Sequence, residues 1–140
     1  MKIQMTVVGN LTADPELRFT PAGKPVVNFV VACSDRKFDK ESNTWVDGST
    51  TFITCTAWNK QAENIAESLQ KGMAVIAQGI LRQHEYVDKN EAKQRRMELE
   101  CDVVGAALTN AIAKVERIKR DTPPAAADPW AQPAQAEPPF

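Results

Sequence analysis

From residue 3 to 9 apolar and polar positions alternate, with Ile3, Met5 and Val7 on one side, the two-residue period of a β-strand. Gly9-Asn10 marks its break, and Asp14-Pro15 and Pro21-Ala22-Gly23 are turn signals. A second strand is predicted over 26–34, with Val27, Phe29, Val31 and Cys33 facing one way and Val26, Asn28, Val30 and Ala32 the other. Residues 35–49 are charged and contain Asp47-Gly48, which predicts a projecting hairpin or loop. A third strand spans 50–58. Asn59 then offers a helix cap, Ala62, Ile65, Ala66 and Leu69 form one helical stripe, and Lys71-Gly72 ends it. Period two returns over 74–87, with Val75, Ala77, Gly79 and Leu81 opposite Ile76, Gln78, Ile80, Arg82, His84 and Tyr86. After the turn at 88–91, Met97, Leu99, Cys101 and Val103 form the apolar side of a last strand against Arg96, Glu98, Glu100 and Asp102. In 108–120, Leu108, Ala111, Ile112 and Val115 fit a helix, and a packed extended arm fits as well.

Three strands, one helix and two strands is the order of an OB-fold. The predicted class is therefore all-β: a five-stranded Greek-key barrel with one α-helix between its third and fourth strands. Such a barrel serves unrelated ligands, so function must come from the site. The third strand is the informative one. Ile53, Cys55 and Ala57 suit a core, whereas Phe52, Thr54, Thr56 and Trp58 combine two rings with two hydroxyls. Rings exposed on a rigid sheet make a stacking platform for unpaired bases, whereas a sheet covered on both sides would make the same rings ordinary core.

Composition changes the picture in two places. All 17 Lys and Arg fall within 1–120 beside 15 of the 18 acids, leaving +2 there, and 121–140 carries −3. That last stretch holds six of the nine prolines among alanine and glutamine, too little apolar surface to offset ordering, and is predicted to be a disordered C-terminal tail. A basic-leaning body with an acidic tail fits nucleic-acid binding. Cys33, Cys55 and Cys101 are odd in number, far apart and each in a strand, which points to buried thiols rather than disulfides or zinc. Neither a membrane-spanning run nor a secretory signal pattern is present, so a cytoplasmic location is expected.

Val7-Val8-Gly9-Asn10-Leu11 and Asp14-Pro15-Glu16-Leu17-Arg18 resemble the amino-terminal signature of the bacterial single-stranded DNA-binding protein family. The likeness continues in order through Asn28-Phe29, Val30-Val31-Ala32, Trp58-Asn59-Lys60, Ala62-Glu63-Asn64, Leu69, Lys71-Gly72, Val75, Gly79 and Leu81-Arg82, covering roughly residues 3–108. Asp128-Pro129-Trp130 and Pro138-Pro139-Phe140 resemble pieces of the family's partner-binding tail. The resemblance implies a DNA-binding domain over 1–120 and a tail over 121–140. By matching position it implies base stacking on Phe52, Trp58 and Tyr86, with Phe38 and Trp45 as further aromatic candidates after the second strand. It also implies a homotetramer, a nucleoid-associated location, and replication, repair and recombination partners reached through Glu137, Pro138, Pro139 and Phe140. The tip departs from the family pattern, because Glu137 alone supplies acid where a run is expected.

Cations should follow the phosphates. Arg82, sharing a strand side with Tyr86, leads the candidates, followed by Arg36, Lys37, Lys60 and Arg96; Arg18, Lys24, Lys89, Lys93 and Arg95 also belong to the pool. His84 lies on the same side without companion histidines, so it reads as a polar or stacking contact rather than a metal ligand. No carboxylate cluster with metal spacing and no nucleophile motif is visible, which argues for binding without catalysis, metal or cofactor. An OB-fold adaptor that uses the same rings to bind protein is the competing reading.

Overall fold

A computed structural model of the protein describes residues 1–119. The elements run β1 (Ile3–Leu11), β2 (Glu16–Phe19), β3 (Pro25–Asp39), β4 (Thr44–Trp58), α1 (Asn59–Ser68), β5 (Ala74–Val87) and β6 (Lys93–Ala106). The sheet order is β1-β5-β6-β4-β3-β2, and a further β1–β3 pairing closes it into the expected OB barrel. Two short seams make the closure: Asn10↔Ala32 and Leu11↔Val31 between β1 and β3, and a three-rung parallel contact centred on Cys55↔Leu99 between β4 and β6. The tail 121–140, with Trp130 and the 137–140 tip, lies outside the described residues.

The inward positions of the strands meet in one core. Val7, Leu11, Val27, Phe29, Val31, Cys55, Ala57, Val75, Ala77, Leu99 and Cys101 fill it, and α1 plugs it with Ala62, Ile65 and the flanking Leu69. Cys55 and Cys101 are buried and Cys33 is half-buried, all as free thiols. The hydrogen bond shared with Cys101, then burial, pushes the Cys55 thiol well above the ordinary range, and burial raises Cys33, so neither is activated as a thiolate.

Two glycines let backbones approach closely, Gly9 at the β1–β3 seam and Gly79 in the β5–β6 ladder. A methyl group at Gly9 would stand 2.8 Å from Val31 Cγ1, and one at Gly79 would stand 2.7 Å from Cys101 Cα. Gly79 also sits where β6 bulges. Gln78 pairs with Val103 and Gly79 with Cys101, so Asp102 is the extra residue. The Gln61 side chain of α1 reaches across this bulge, donating from Nε2 to Asp102 O and accepting the Val104 N–H, each at 3.2 Å.

Several expectations are corrected. β1 continues through Gly9-Asn10 to Leu11, and between the Asp14-Pro15 and Pro21-Ala22-Gly23 turn signals lies a strand beyond those predicted, β2, which pairs with β3 along the edge that β1 leaves open. β3 ends five residues beyond the predicted end at 34, and β4 starts six before the predicted 50. The intervening ribbon is solvated on both sides, so it carries no core periodicity although its backbones pair. Its turn is at 40–43, with Asn43 at φ 55, and not at Asp47-Gly48. Asn59 does not cap α1. The cap position is Trp58, without a side-chain bond, and Asn59 makes the strand-to-helix corner at φ 61, a conformation Asn tolerates. The bulge turns Val103 outward and places Val104 against the core. No helix forms over 107–119, where Ile112 and Val115 are exposed and the backbone is irregular.

Candidate nucleic-acid interface

β4 alternates, so burying Cys55 and Ala57 forces Phe52, Thr54, Thr56 and Trp58 outward. Thr54 and Thr56 lie beside Glu98 and Glu100 of β6, and Arg82 and His84 of β5 pair across to Glu98 and Arg96. Residues directly opposite in a ladder share a side, so β4, β6 and β5 present one continuous outer face. It carries Phe52, Trp58 and Tyr86 with relative exposures of 63%, 41% and 51%. Those values exclude the ordinary-core reading of Phe52 and Trp58 within the chain.

Beside Trp58 on this face lies a cleft of about 320 Å³ lined by Thr56, Trp58, His84, Glu98 and Glu100. Its floor is polar and tightly held. Thr56 is buried, and its hydroxyl lies against Glu98 Oε1 and 2.9 Å from Asn28 Oδ1. With one proton to donate, the hydroxyl gives it to the carboxylate, the stronger acceptor. The other Glu98 oxygen accepts from Arg96 Nη2 at 3.0 Å. One step along β6, Arg82 Nε donates to Glu100 Oε2 at 2.5 Å.

The cations expected to meet phosphate are thus distributed unevenly. Arg82 and Arg96 are on the face but carry carboxylate partners there. Lys60 lies on α1, paired with Glu63 at 3.1 Å, and Arg36 faces Asp47 in the ribbon at 3.9 Å. Arg95 pairs with Glu85 at 3.5 Å. Arg18, Lys24, Lys37, Lys89 and Lys93 have no ion-pair partner among the described residues. Phe38 and Trp45 sit directly opposite one another in the ribbon, away from the barrel face. Their rings meet edge to face, centroids 5.4 Å apart and planes at 65°, and both stay partly exposed. Trp45 therefore has the cross-strand packing partner that a hairpin-closing role requires, and it keeps an open surface.

Sequence reading overlooked Asn28 and the acids as parts of the site. The available signal was the alternation around Leu99 and Cys101, which already put Glu98 and Glu100 on the outward side of the last strand. Among the described residues no group of three His, Cys, Asp or Glu side chains is placed to hold a metal ion, and no helix is long and apolar enough to cross a membrane.

Residues 3–107 match the model of the single-strand binding protein family. The chain is 53% identical over 113 residues to single-stranded DNA-binding protein 2 of Streptomyces coelicolor, covering 81% of this chain and 57% of that protein. It is 50% identical over 117 residues to a single-stranded DNA-binding protein of Paenarthrobacter aurescens, covering 84% and 68% of the two chains. The match thus spans little more than half the length of the first relative. Among solved structures, the small single-stranded DNA-binding protein from Streptomyces coelicolor superposes with a TM-score of 0.67 at 30% identity, covering 79% of this chain and 98% of that one.

Proposed function

The chain belongs to the single-strand binding protein family, and from that premise we propose that it binds unpaired DNA without strong sequence preference and without catalysis. The observation that carries the reading is the outward display of Phe52, Trp58 and Tyr86 on one face of the barrel. Stacked bases in a duplex have no free π-face, whereas each unpaired base can lie on a ring, and any of the four bases will do. Lys37, Arg36, Phe38 and Trp45 extend the surface along the ribbon. Arg82 and Arg96 on the face and Lys60 on α1 are further cationic candidates, each already paired with a carboxylate.

Self-association, with a homotetramer as the family-derived expectation, belongs to the same proposal. Its support is an exposed apolar patch on the outer side of β1, β5 and β6: Val8 opposite Ile76, with Val103 opposite Gln78 on the next outward rung. The outward side of β5 therefore changes character along its length, apolar near Ile76 and aromatic-cationic near Arg82 and Tyr86. Glu137, Pro138, Pro139 and Phe140, outside the described residues, form an apolar-plus-anionic tip suited to an Arg- or Lys-rimmed pocket on replication, repair or recombination enzymes. A cytoplasmic, nucleoid-associated protein fits these roles.

The test is a titration with oligothymidines of increasing length at two salt concentrations, read by intrinsic tryptophan fluorescence and by anisotropy of the labelled strand. Binding with quenching and a negative salt slope is expected, roughly −0.7 in log K per neutralised phosphate. Absence of binding to any single strand, with a folded protein, refutes the proposal and leaves the adaptor reading.

A further inference from the structure

The centre of the proposed DNA face is electrically self-neutralised. Of its ionised side chains, Arg82 is bound to Glu100 and Arg96 to Glu98, two cations against two anions. Among the candidate phosphate contacts, lysines without an ion-pair partner in the described residues include Lys37 in the ribbon and Lys89 and Lys93 at the β5–β6 end, none of them at the centre of the face. We infer that Glu98 and Glu100 form a phosphate-excluding stripe that limits affinity, keeping the sugar-phosphate backbone off the cleft floor so that bases cross it and phosphates run along the rim. This rests on the single-strand-binding reading above.

The two acids differ in how they are held. Glu98 has a side chain only 13% exposed, fixed by Arg96 and by the Thr56 hydroxyl. It is part of the framework. Glu100 and Arg82 are each 47% exposed and have only one another as side-chain partners among the described residues, so the pair adds little to stability. The place of Glu100 with Trp58 in the lining of the cleft gives the pair a different consequence. A phosphate approaching Arg82 must displace a carboxylate already seated on the guanidinium, and the displaced carboxylate then repels it. A base approaching Trp58 meets neither cost. The stripe therefore discriminates between the two parts of the same ligand, favouring stacking over backbone capture at the centre.

The experiment uses the full chain, labelled oligothymidine and anisotropy at 50 and 200 mM salt, comparing the parent with Glu100→Gln, Arg82→Gln and the double variant. Freeing Arg82 adds one phosphate contact, worth about 0.7 in the salt slope, so a fourfold rise in salt should cost Glu100→Gln about 2.5-fold more affinity per bound site than it costs the parent. Glu100→Gln should bind more tightly than the parent at both salts, and Arg82→Gln should lose more affinity in the Glu100→Gln background than in the parent. Unchanged or weaker binding by folded Glu100→Gln, or an unchanged slope, overturns the inference while leaving the proposed function standing. A parent that binds no single strand removes both.

Discussion

Trp58→Ala tests the stacking face at the ring that lines the cleft, and its effect on folding must be separated from its effect on binding. A fully enclosed large aromatic side chain buries about 150–250 Å². Trp58 is 41% exposed, so a little over half is covered, roughly 80–150 Å². At about 25 cal/mol per Å² its removal forfeits roughly 2–4 kcal/mol, an upper bound because the unfolded chain also buries some of this surface. A loss near 2 kcal/mol in unfolding free energy is expected from urea denaturation. Losing one stacked base costs a further 1–3 kcal/mol in binding, about 5- to 150-fold in Kd. The assay is anisotropy of a labelled oligothymidine, since the substitution removes one of the protein's own fluorophores, at a temperature where circular dichroism shows the variant folded. Trp58→Phe keeps a π-face and should recover most of the affinity. Phe52→Ala, at a ring 63% exposed, should cost the fold less, about 1 kcal/mol, for a binding loss in the same range. An unchanged titration with folded Trp58→Ala refutes stacking at this position, and retained affinity in both alanine variants refutes the face.

Further predictions address how the fold holds that face. Gly79→Ala presses a methyl group into the backbone of Cys101 at the β6 bulge, so it should lower stability by about 2 kcal/mol or more; thermal melting within a degree of the parent would show that the bulge yields. Gln61→Ala leaves Asp102 O and Val104 N without their side-chain partner and should cost about 1–3 kcal/mol in urea denaturation, whereas Gln61→Glu, which keeps only the acceptor, should restore part of it. The Asp88 carboxyl is held below its ordinary value by hydrogen bonds from Ala92 N–H, then the Gln94 amide, and from Asn90 N–H. Because the folded value is depressed, its turn-holding contribution is complete above the unfolded value of about 4 and is lost as pH falls through the folded value. A carboxyl NMR titration should place its midpoint below that of an unfolded-chain aspartate, and a midpoint at or above it contradicts the assignment. If the tip acts as proposed, deleting residues 137–140 should impair binding of DNA-processing enzymes and leave the oligothymidine Kd unchanged; a weakened Kd would show that the tip takes part in DNA binding.

The parts of the fold legible in the chain are those where one side of an element is buried. Ile53, Cys55 and Ala57 alternate with Phe52, Thr54 and Thr56 because the barrel excludes water on one side only, and the Ala62, Ile65 and Leu69 stripe repeats every three to four residues for the same reason. Where burial ends, periodicity ends with it. The ribbon from Ser34 to Thr50 pairs its backbones while exposing both sides, so nothing in its polar sequence distinguishes it from a loop. β2 is four residues long and half-buried only at Leu17, too short to establish a period.

The bulge at Asp102 produced the sharpest misplacement, and it bears on the site. One extra residue reverses the sides of everything beyond it, so the strict alternation that assigned Leu99 and Cys101 correctly assigned Val103 wrongly. Glu98 and Glu100 precede the bulge and keep the outward side that alternation gave them. What alternation could not give is their pairing. Arg82 stands directly across from Glu98, yet it donates to Glu100, the diagonal neighbour, while Glu98 is taken by Arg96 two residues away on its own strand. Counting cations along the chain treats each as available to phosphate. Pairing is a property of register and rotamer, and on this face Glu98 and Glu100 hold both Arg96 and Arg82.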